Sequence, residues 1–271
     1  MKIARNALLL VLVTLFSVCM VSCVSDLESL IDAAGLPSGT GSGITVTNDD
    51  AIAAMKDALK EGISSASSQL SVTNGYFGNA ALKILLPPEA KKLVDSLSKI
   101  PQGQKLVDDV VLRLNRSAED AAKEVVPIFV DAIRQMTVTD GIAIIKGGDR
   151  AATQYLEAKT RQSLMNLYRP KVNAALSKPL VMDISATKSW ETLTGAYNRA
   201  GAIPNKAARI TGKKEPMPAI EVDLATYATG KALDGLFLKI GEDEGKIRAD
   251  PLKYTSAMIK KVFCALKNGL L

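Results

Sequence analysis

The spacing of apolar residues between Gln104 and Glu124 is the feature that most constrains what this chain can fold into. Apolar side chains recur there three or four positions apart, and charged side chains occupy the positions between them. This period matches the turn of an α-helix and predicts an amphipathic helix with one buried face. The apolar stripe consists of Val107, Val111, Leu114, Ala118, Ala121 and Val125.

Helix-start signals mark further elements before and after this stripe. Thr47 and Asp50 predict a capping box, and the helix that follows them is expected to reach about Leu70. Asp149 follows a Gly-Gly turn and is expected to cap a long helix that begins at Arg150.

The C-terminal part of the chain continues this alternation of helices and breaks. Residues 201–219 hold three prolines and two glycines, so we expect a loop there. Asp223 is expected to cap a long helix to about Ala249. Asp250 followed by Pro251 predicts the start of a last helix, which runs to about Leu266.

No strand-like alternation of useful length and no internal repeat is present in the sequence. The pattern therefore predicts an all-α fold, with a single multi-helix domain over residues 48–268. Residues 1–22 are interpreted as a signal peptide and residues 23–47 as a lipidated N-terminus followed by a flexible, Gly- and Ser-rich tether.

The signal-peptide interpretation depends on the residues that precede Cys23. Lys2 and Arg5 form a basic start, residues 7–21 are almost unbroken apolar sequence, and Ser22 is a small residue directly before the cysteine. This order is typical of a secretory signal, and the cysteine makes it resemble a bacterial lipoprotein signal. The alternative is a retained transmembrane helix, but an apolar run this short falls below the roughly 20 residues that span a bilayer.

The resemblance implies that Cys23 carries a lipid and holds the protein to a membrane outside the cytoplasm. Val24, rather than an aspartate, follows the cysteine. In Gram-negative sorting signals of this kind, that favours the outer membrane. We therefore expect a lipid-anchored protein of the cell envelope.

Composition excludes several classes of function. The chain has no histidine, which removes Ser-His-Asp and Cys-His catalysis and His-ligated metal sites. Its net charge of +6 is spread along the sequence, and aromatic residues make up only 4 % of it, so nucleic-acid binding is not expected. Of the three cysteines, only Cys264 would remain as a free thiol, and we expect it to be a small buried side chain.

Four polar residues are candidates for a ligand-binding site. Asp234 lies in a largely apolar helix, where a carboxylate needs a partner. Asn115 adjoins the apolar stripe, Asp131 lies near a helix break, and Tyr155 follows the Gly-Gly turn. Asp234 would be either a pocket acid or part of a structural ion pair or helix cap. A polar pocket between helices could be lined by Asn115, Asp131 and Tyr155. The alternative is that they satisfy helix ends and buried backbone groups.

The acidic run at residues 242–244 has two interpretations. With Asp234 two turns earlier, a site for a hard cation is conceivable, because such ions take carboxylate oxygens. The favoured interpretation is a solvated helix end, with Glu242 paired to Lys246 and Glu244 paired to Arg248, four residues apart.

Several long strings resemble the bacterial family called domain of unknown function 4197. The resemblance covers residues 50–263 and implies a mostly helical envelope protein without an assigned activity. The strings that carry it include residues 114–119 (LNRSAE), 127–133 (PIFVDAI), 147–155 (GGDRAATQY), 227–237 (YATGKALDGLF) and 260–263 (KKVF).

Together these features predict a non-catalytic binding or interaction module, with no catalytic residues, no metal and no cofactor. Its expected partners are the membrane, through the lipid on Cys23, and an envelope protein or a small apolar ligand. A carrier or sensor of an apolar ligand such as a lipid is one alternative. A carboxylate-dependent hydrolase, with or without a divalent metal, is the other.

Overall fold

A computed structural model describes residues 45–139 and 141–271. Helices form the regular structure of this part, which confirms the all-α fold, and Val181 and Ile184 make an isolated bridge. The predictions for Cys23, the signal peptide and the tether up to residue 44 lie outside the described residues. The helices are α1 (Asn48–Leu70), α2 (Lys91–Leu97), α3 (Gly103–Ala121), α4 (Val125–Gln135), α5 (Gly141–Ile145), α6 (Ala151–Ser177), α7 (Ala186–Ile210), α8 (Leu224–Ala249) and α9 (Ala257–Lys267).

The described residues fall into two compact units. The first comprises residues 45–62, 136–156 without residue 140, and 241–271. The second comprises residues 63–135 and 157–240. No helix of the described part combines the length and the apolar character that crossing a membrane requires. The single domain over residues 48–268 remains a prediction.

The first unit begins with the predicted capping box. The Asp50 amide donates to the Thr47 hydroxyl at 3.1 Å, and the Thr47 amide donates to the Asp50 carboxylate at 2.9 Å. Burial raises the pKa of Asp50, but hydrogen bonds from Lys261 and Thr47 outweigh it and leave that pKa below its usual value. This cap orients the first turns of α1, whose Met55 and Leu59 are buried.

The second unit buries the apolar stripe of α3, as its period predicts. Val107, Val111 and Leu114 are all at most 6 % exposed. Tyr76 is fully buried and donates its hydroxyl to the Ala232 carbonyl at 2.9 Å. A side chain at position 235 would begin 2.7 Å from the Tyr76 ring, so glycine is required where the ring crosses α8.

Helix α7 differs from the sequence-based prediction. The loop predicted for residues 201–219 is wrong for its first half, because the helix continues through Pro204 to Ile210. A proline inside a helix costs one backbone hydrogen bond. Hydrogen bonds of the next residue offset that loss: Asn205 is buried and binds both the amide and the carbonyl of Met217, at 3.0 and 2.5 Å.

The start of the last helix also differs. Residues 251–253 form only a short 3-10 turn, and the Asp250 side chain makes no capping hydrogen bond to it. Helix α9 begins at Ala257, where the Ser256 hydroxyl accepts the Ile259 amide at 3.2 Å. Ser256 therefore supplies the cap that was predicted for Asp250.

Candidate functional site

Asn115, the first predicted ligand residue, is an internal clamp. Its side chain is fully buried in α3 and accepts the Ile84 amide at 2.8 Å. Its amide nitrogen donates to the Ile84 and Val111 carbonyls, both at 2.7 Å. Asn115 thereby holds an extended segment against α3.

Asp131 and Tyr155 make local contacts in different units. Asp131 pairs with Arg134 at 3.4 Å, and both side chains are more than half exposed, so the pair adds little stability. Tyr155 donates its hydroxyl to the Thr137 carbonyl at 2.7 Å and ties the segment before α5 to helix α6.

Asp234 lies on α8 and is 46 % exposed, so it is less buried than its apolar neighbours suggested. It accepts a hydrogen bond from Arg161 and a second, at 3.3 Å, from Lys231. The Arg161 guanidinium also lies 5.9 Å from the centre of the Phe237 ring. Burial lowers the pKa of Arg161, but its bonds to Asp234 and Glu157 outweigh that effect and raise it. The four predicted ligand residues thus hydrogen-bond to different partners, and their ligand role remains a prediction.

The acidic run differs from the prediction in its burial. Glu242 is exposed, but Asp243 is only 5 % and Glu244 only 1 % exposed. The predicted pair of Glu244 with Arg248 is confirmed at 2.8 Å. Lys246, whose predicted partner was Glu242, forms its salt bridge with Asp243 at 2.5 Å. That hydrogen bond raises the pKa of Lys246.

Glu244 caps helix α6, a role that was predicted for Asp149. Its carboxylate accepts the Ala152 amide at 3.0 Å and the Thr153 amide at 2.8 Å. It also accepts the Thr153 hydroxyl at 2.7 Å, and Arg248 donates to it twice, at 2.8 and 3.1 Å. Because donors surround both oxygens, Glu244 stabilises the first unit and has no lone pair directed at a ligand.

Glu119 makes comparable contacts in the second unit, where it holds a turn instead of a helix start. Its carboxylate is buried and accepts the backbone amides of Tyr76 and Phe77, both at 3.1 Å. Arg116 binds the other oxygen at 2.6 Å and also donates to the Asn74 side chain at 2.9 Å. Sequence reasoning missed this residue because the amides lie more than forty positions away along the chain.

Within the second unit, a surface groove of about 400 Å³ runs between an extended segment and helices α2 and α3. The extended segment consists of residues 83–87. Burial changes along it: Ile84 is buried, as is Leu82 just before the segment, whereas Leu85 is 61 % exposed. No sequence signal predicted the groove, because its walls come from three separate stretches. The lining residues are Lys83, Leu85, Leu86, Pro87, Pro88, Lys91, Val94, Gln104, Val107, Asp108 and Val111.

Fixed contacts hold the extended wall of the groove in place. Asn115 binds the backbone of Ile84, and the Tyr227 hydroxyl donates to the Leu85 carbonyl at 3.0 Å. The Lys83 ammonium lies 4.2 Å from the centre of the Phe77 ring. These contacts order the backbone of the extended wall, and an ordered wall lowers the entropic cost of binding.

The polar groups at the rim are paired with one another. Lys91 forms a salt bridge with Asp95 at 2.7 Å, and the Gln104 side chain donates to Asp108 at 2.9 Å. What remains for a ligand is apolar surface, including Leu85 and Val94. Such an arrangement can take apolar side chains or chains of methylenes, and it holds no activated nucleophile.

Outside the groove, a cysteine and groups of metal-ligating side chains are the other places where chemistry could occur. Cys264 is a fully buried cysteine, as predicted. Among residues 45–139 and 141–271, no three His, Cys, Asp or Glu side chains are grouped so that they could hold a metal ion.

These features define an all-helical protein with an apolar surface groove. Residues 45–264 match the sequence model of the family described as Protein of unknown function (DUF4197). The match covers most of the 271 residues, and the chain belongs to this family. No curated protein and no solved structure matches the chain.

Proposed function

We propose that this protein is a non-catalytic binding module of the cell envelope and that its groove takes an apolar segment of a partner protein. The observation that carries the proposal is the groove itself: an apolar floor, held open by Asn115 and Tyr227, beside a leucine that is 61 % exposed. Exposed apolar surface on a folded domain is typical of interaction sites.

A protein segment suits this groove better than a small molecule does. Small-molecule sites enclose most of the ligand surface. Here Leu85, Pro88, Lys91 and Asp108 are all exposed, so one side of any small ligand would remain in water. A partner protein covers that side with its own surface.

An apolar ligand such as a lipid is the second candidate. The groove volume of about 400 Å³ lies within the usual range of small-molecule sites, roughly 300–1,000 Å³. In this function, too, binding would occur at Leu85 and Val94, so one experiment can distinguish the two candidates.

Photo-crosslinking in the native host tests the groove. We expect a photoreactive phenylalanine in place of Leu85 to give a discrete protein adduct in intact cells. The matched control carries the same group in place of Leu167 on α6, which is similarly exposed at 57 %. Val94→Asp, introduced beside the Leu85 probe, should remove the adduct because it places a charge on the apolar floor.

Three outcomes separate the candidates. A protein adduct that requires the Leu85 position and is lost with Val94→Asp supports the partner-protein function. An adduct with the mass of a lipid, lost in the same way, supports the carrier. Equal adducts from positions 85 and 167, or none from position 85, would contradict both.

We further propose that a lipid on Cys23 holds the module at a membrane. The support is the order of basic, apolar and small residues before that cysteine. Two or more acyl chains suffice for stable attachment. In a Gram-negative host the outer membrane is the expected location.

Intact mass spectrometry of the full-length gene product tests the anchor. We expect the wild-type protein to lack residues 1–22 and to carry the added mass of acyl chains. Cys23→Ala should leave an unprocessed, unacylated chain, because the cleavage and the lipid both depend on that thiol. Cys19→Ala is the matched control and should behave as wild type; acylation that survives in Cys23→Ala would refute the anchor.

A further inference from the structure

The outward face of helix α7 carries two strongly exposed isoleucines. Ile203 is 82 % exposed and Ile210 is 77 % exposed. They lie seven residues apart, which is about two turns, so they project from the same side of the helix. No other α7 residue among the large apolar ones is as exposed.

Their exposure follows from the register of the helix. The buried residues Trp190, Tyr197, Gly201 and Ala208 share one side. At about 100° per residue, Ile203 lies on nearly the opposite side from that buried set. The two isoleucines therefore point away from the core, and a small adjustment of the helix would not cover them.

Positive charge surrounds these isoleucines. Arg199 and Lys206 are exposed and fall within the same arc, one turn before and one turn after Ile203. Residues 192–214 contain five basic residues and no acidic one. Arg209 is paired with Glu215 at 2.5 Å, whereas Lys213 and Lys214 extend the basic stretch just past the helix end.

We propose that this face of α7 docks on the surface of an anionic phospholipid membrane. An amphipathic surface helix with apolar residues between lysines and arginines is the kind that lies at a lipid interface. The isoleucines would enter the boundary between headgroups and acyl chains, while the basic side chains reach the phosphates. Charge complementarity selects an anionic bilayer over an apolar protein surface, which has no acidic headgroups to match Arg199, Lys206 and the two lysines past the helix end.

This inference is independent of the groove, which other helices form, and of the lipid on Cys23. A lipid anchor keeps a domain near a bilayer without fixing its orientation. Docking of α7 would set that orientation.

Depth-dependent quenching of a fluorescent probe tests the docking. The full-length protein, labelled with an environment-sensitive dye at Ile203→Cys, is added to phosphatidylcholine vesicles with or without phosphatidylglycerol. Quencher groups on the lipid tails report insertion. We expect quenching with the anionic vesicles and its loss at high salt or with Lys206→Glu, because salt and charge reversal weaken the attraction to phosphates. The matched control, Leu167→Cys, should remain unquenched.

Other outcomes would overturn the proposal. Equal quenching at positions 203 and 167 would assign insertion to the anchor alone. Equal quenching by neutral vesicles would remove the role of the basic residues. A dye signal at position 203 that changes with protein concentration and not with vesicles would assign the face to a second copy of the chain.

Discussion

Replacing Glu244 with glutamine is expected to lower the free energy of unfolding by about 3–5 kcal/mol. The carboxylate is 1 % exposed, and donors face both of its oxygens: the Ala152 and Thr153 amides and the Arg248 guanidinium. Glutamine keeps the shape but turns one oxygen into an NH₂ group, which would face another donor. It also leaves the Arg248 side chain, only 8 % exposed, without its counter-charge.

Equilibrium denaturation in urea measures this loss. Glu242→Gln is the matched control, because Glu242 lies on the same helix and is exposed; its effect should stay within about 0.5 kcal/mol. Arg248→Met added to Glu244→Gln should recover part of the loss, since the uncompensated charge is then gone. Equal, small effects of the two glutamine variants would show that the buried pair contributes little.

The same glutamate shows why sequence reasoning described the acidic run incompletely. Three consecutive acidic residues are typical of a solvated helix end, and the pairing of Glu244 with Arg248 followed from their spacing. Burial depends on residues 152 and 153, about ninety positions away. A local pattern does not contain that information.

The limits of α1 and α8, which local chemistry determines, were predicted well. The capping box at Thr47 and Asp50 is present, and α1 ends at Leu70 as expected. Helix α8 begins after Asp223, which accepts the Thr226 amide at 3.3 Å, and ends at Ala249. These signals act within three or four residues, so the sequence displays them directly.

The continuation of α7 through Pro204 depended on tertiary contacts. Proline and glycine residues favour a break there by their local preferences. Asn205 and Asn198 instead fasten residues 217 and 220 to the helix, each through a backbone amide and a carbonyl. The exposed isoleucines of this helix went unnoticed for the same reason, because a loop has no outward face to predict.

Asparagine clamps of this kind recur in the described part of the chain. Asn115, Asn198 and Asn205 each bind both backbone groups of one residue in an irregular segment. A carboxamide has a donor and an acceptor side by side, so it can bind the N–H and the C=O of one residue as a neighbouring strand would. In an all-helical fold these clamps satisfy the backbone groups of extended segments, including the wall of the groove.

Replacing Asn115 with alanine is expected to lower the free energy of unfolding by about 2–4 kcal/mol. The substitution leaves the Ile84 amide and carbonyl buried without partners, and each such group costs about 1–3 kcal/mol. The extended segment also loses its attachment to α3, so Leu85 and the groove wall should become mobile. Urea denaturation measures the first effect, and amide exchange at residues 84 and 85 measures the second.

The matched control is Asn166→Ala, at an exposed position of helix α6. Alanine has the higher helix propensity, so this variant should be as stable as wild type or slightly more stable. The comparison also decides between the two interpretations of Asn115. A folded, fully stable Asn115→Ala protein that fails to form the Leu85 adduct would make Asn115 a ligand-binding residue. A large stability loss in Asn115→Ala alone would make Asn115 the clamp that shapes the groove, because the Ile84 amide and carbonyl then lose their hydrogen bonds to its carboxamide.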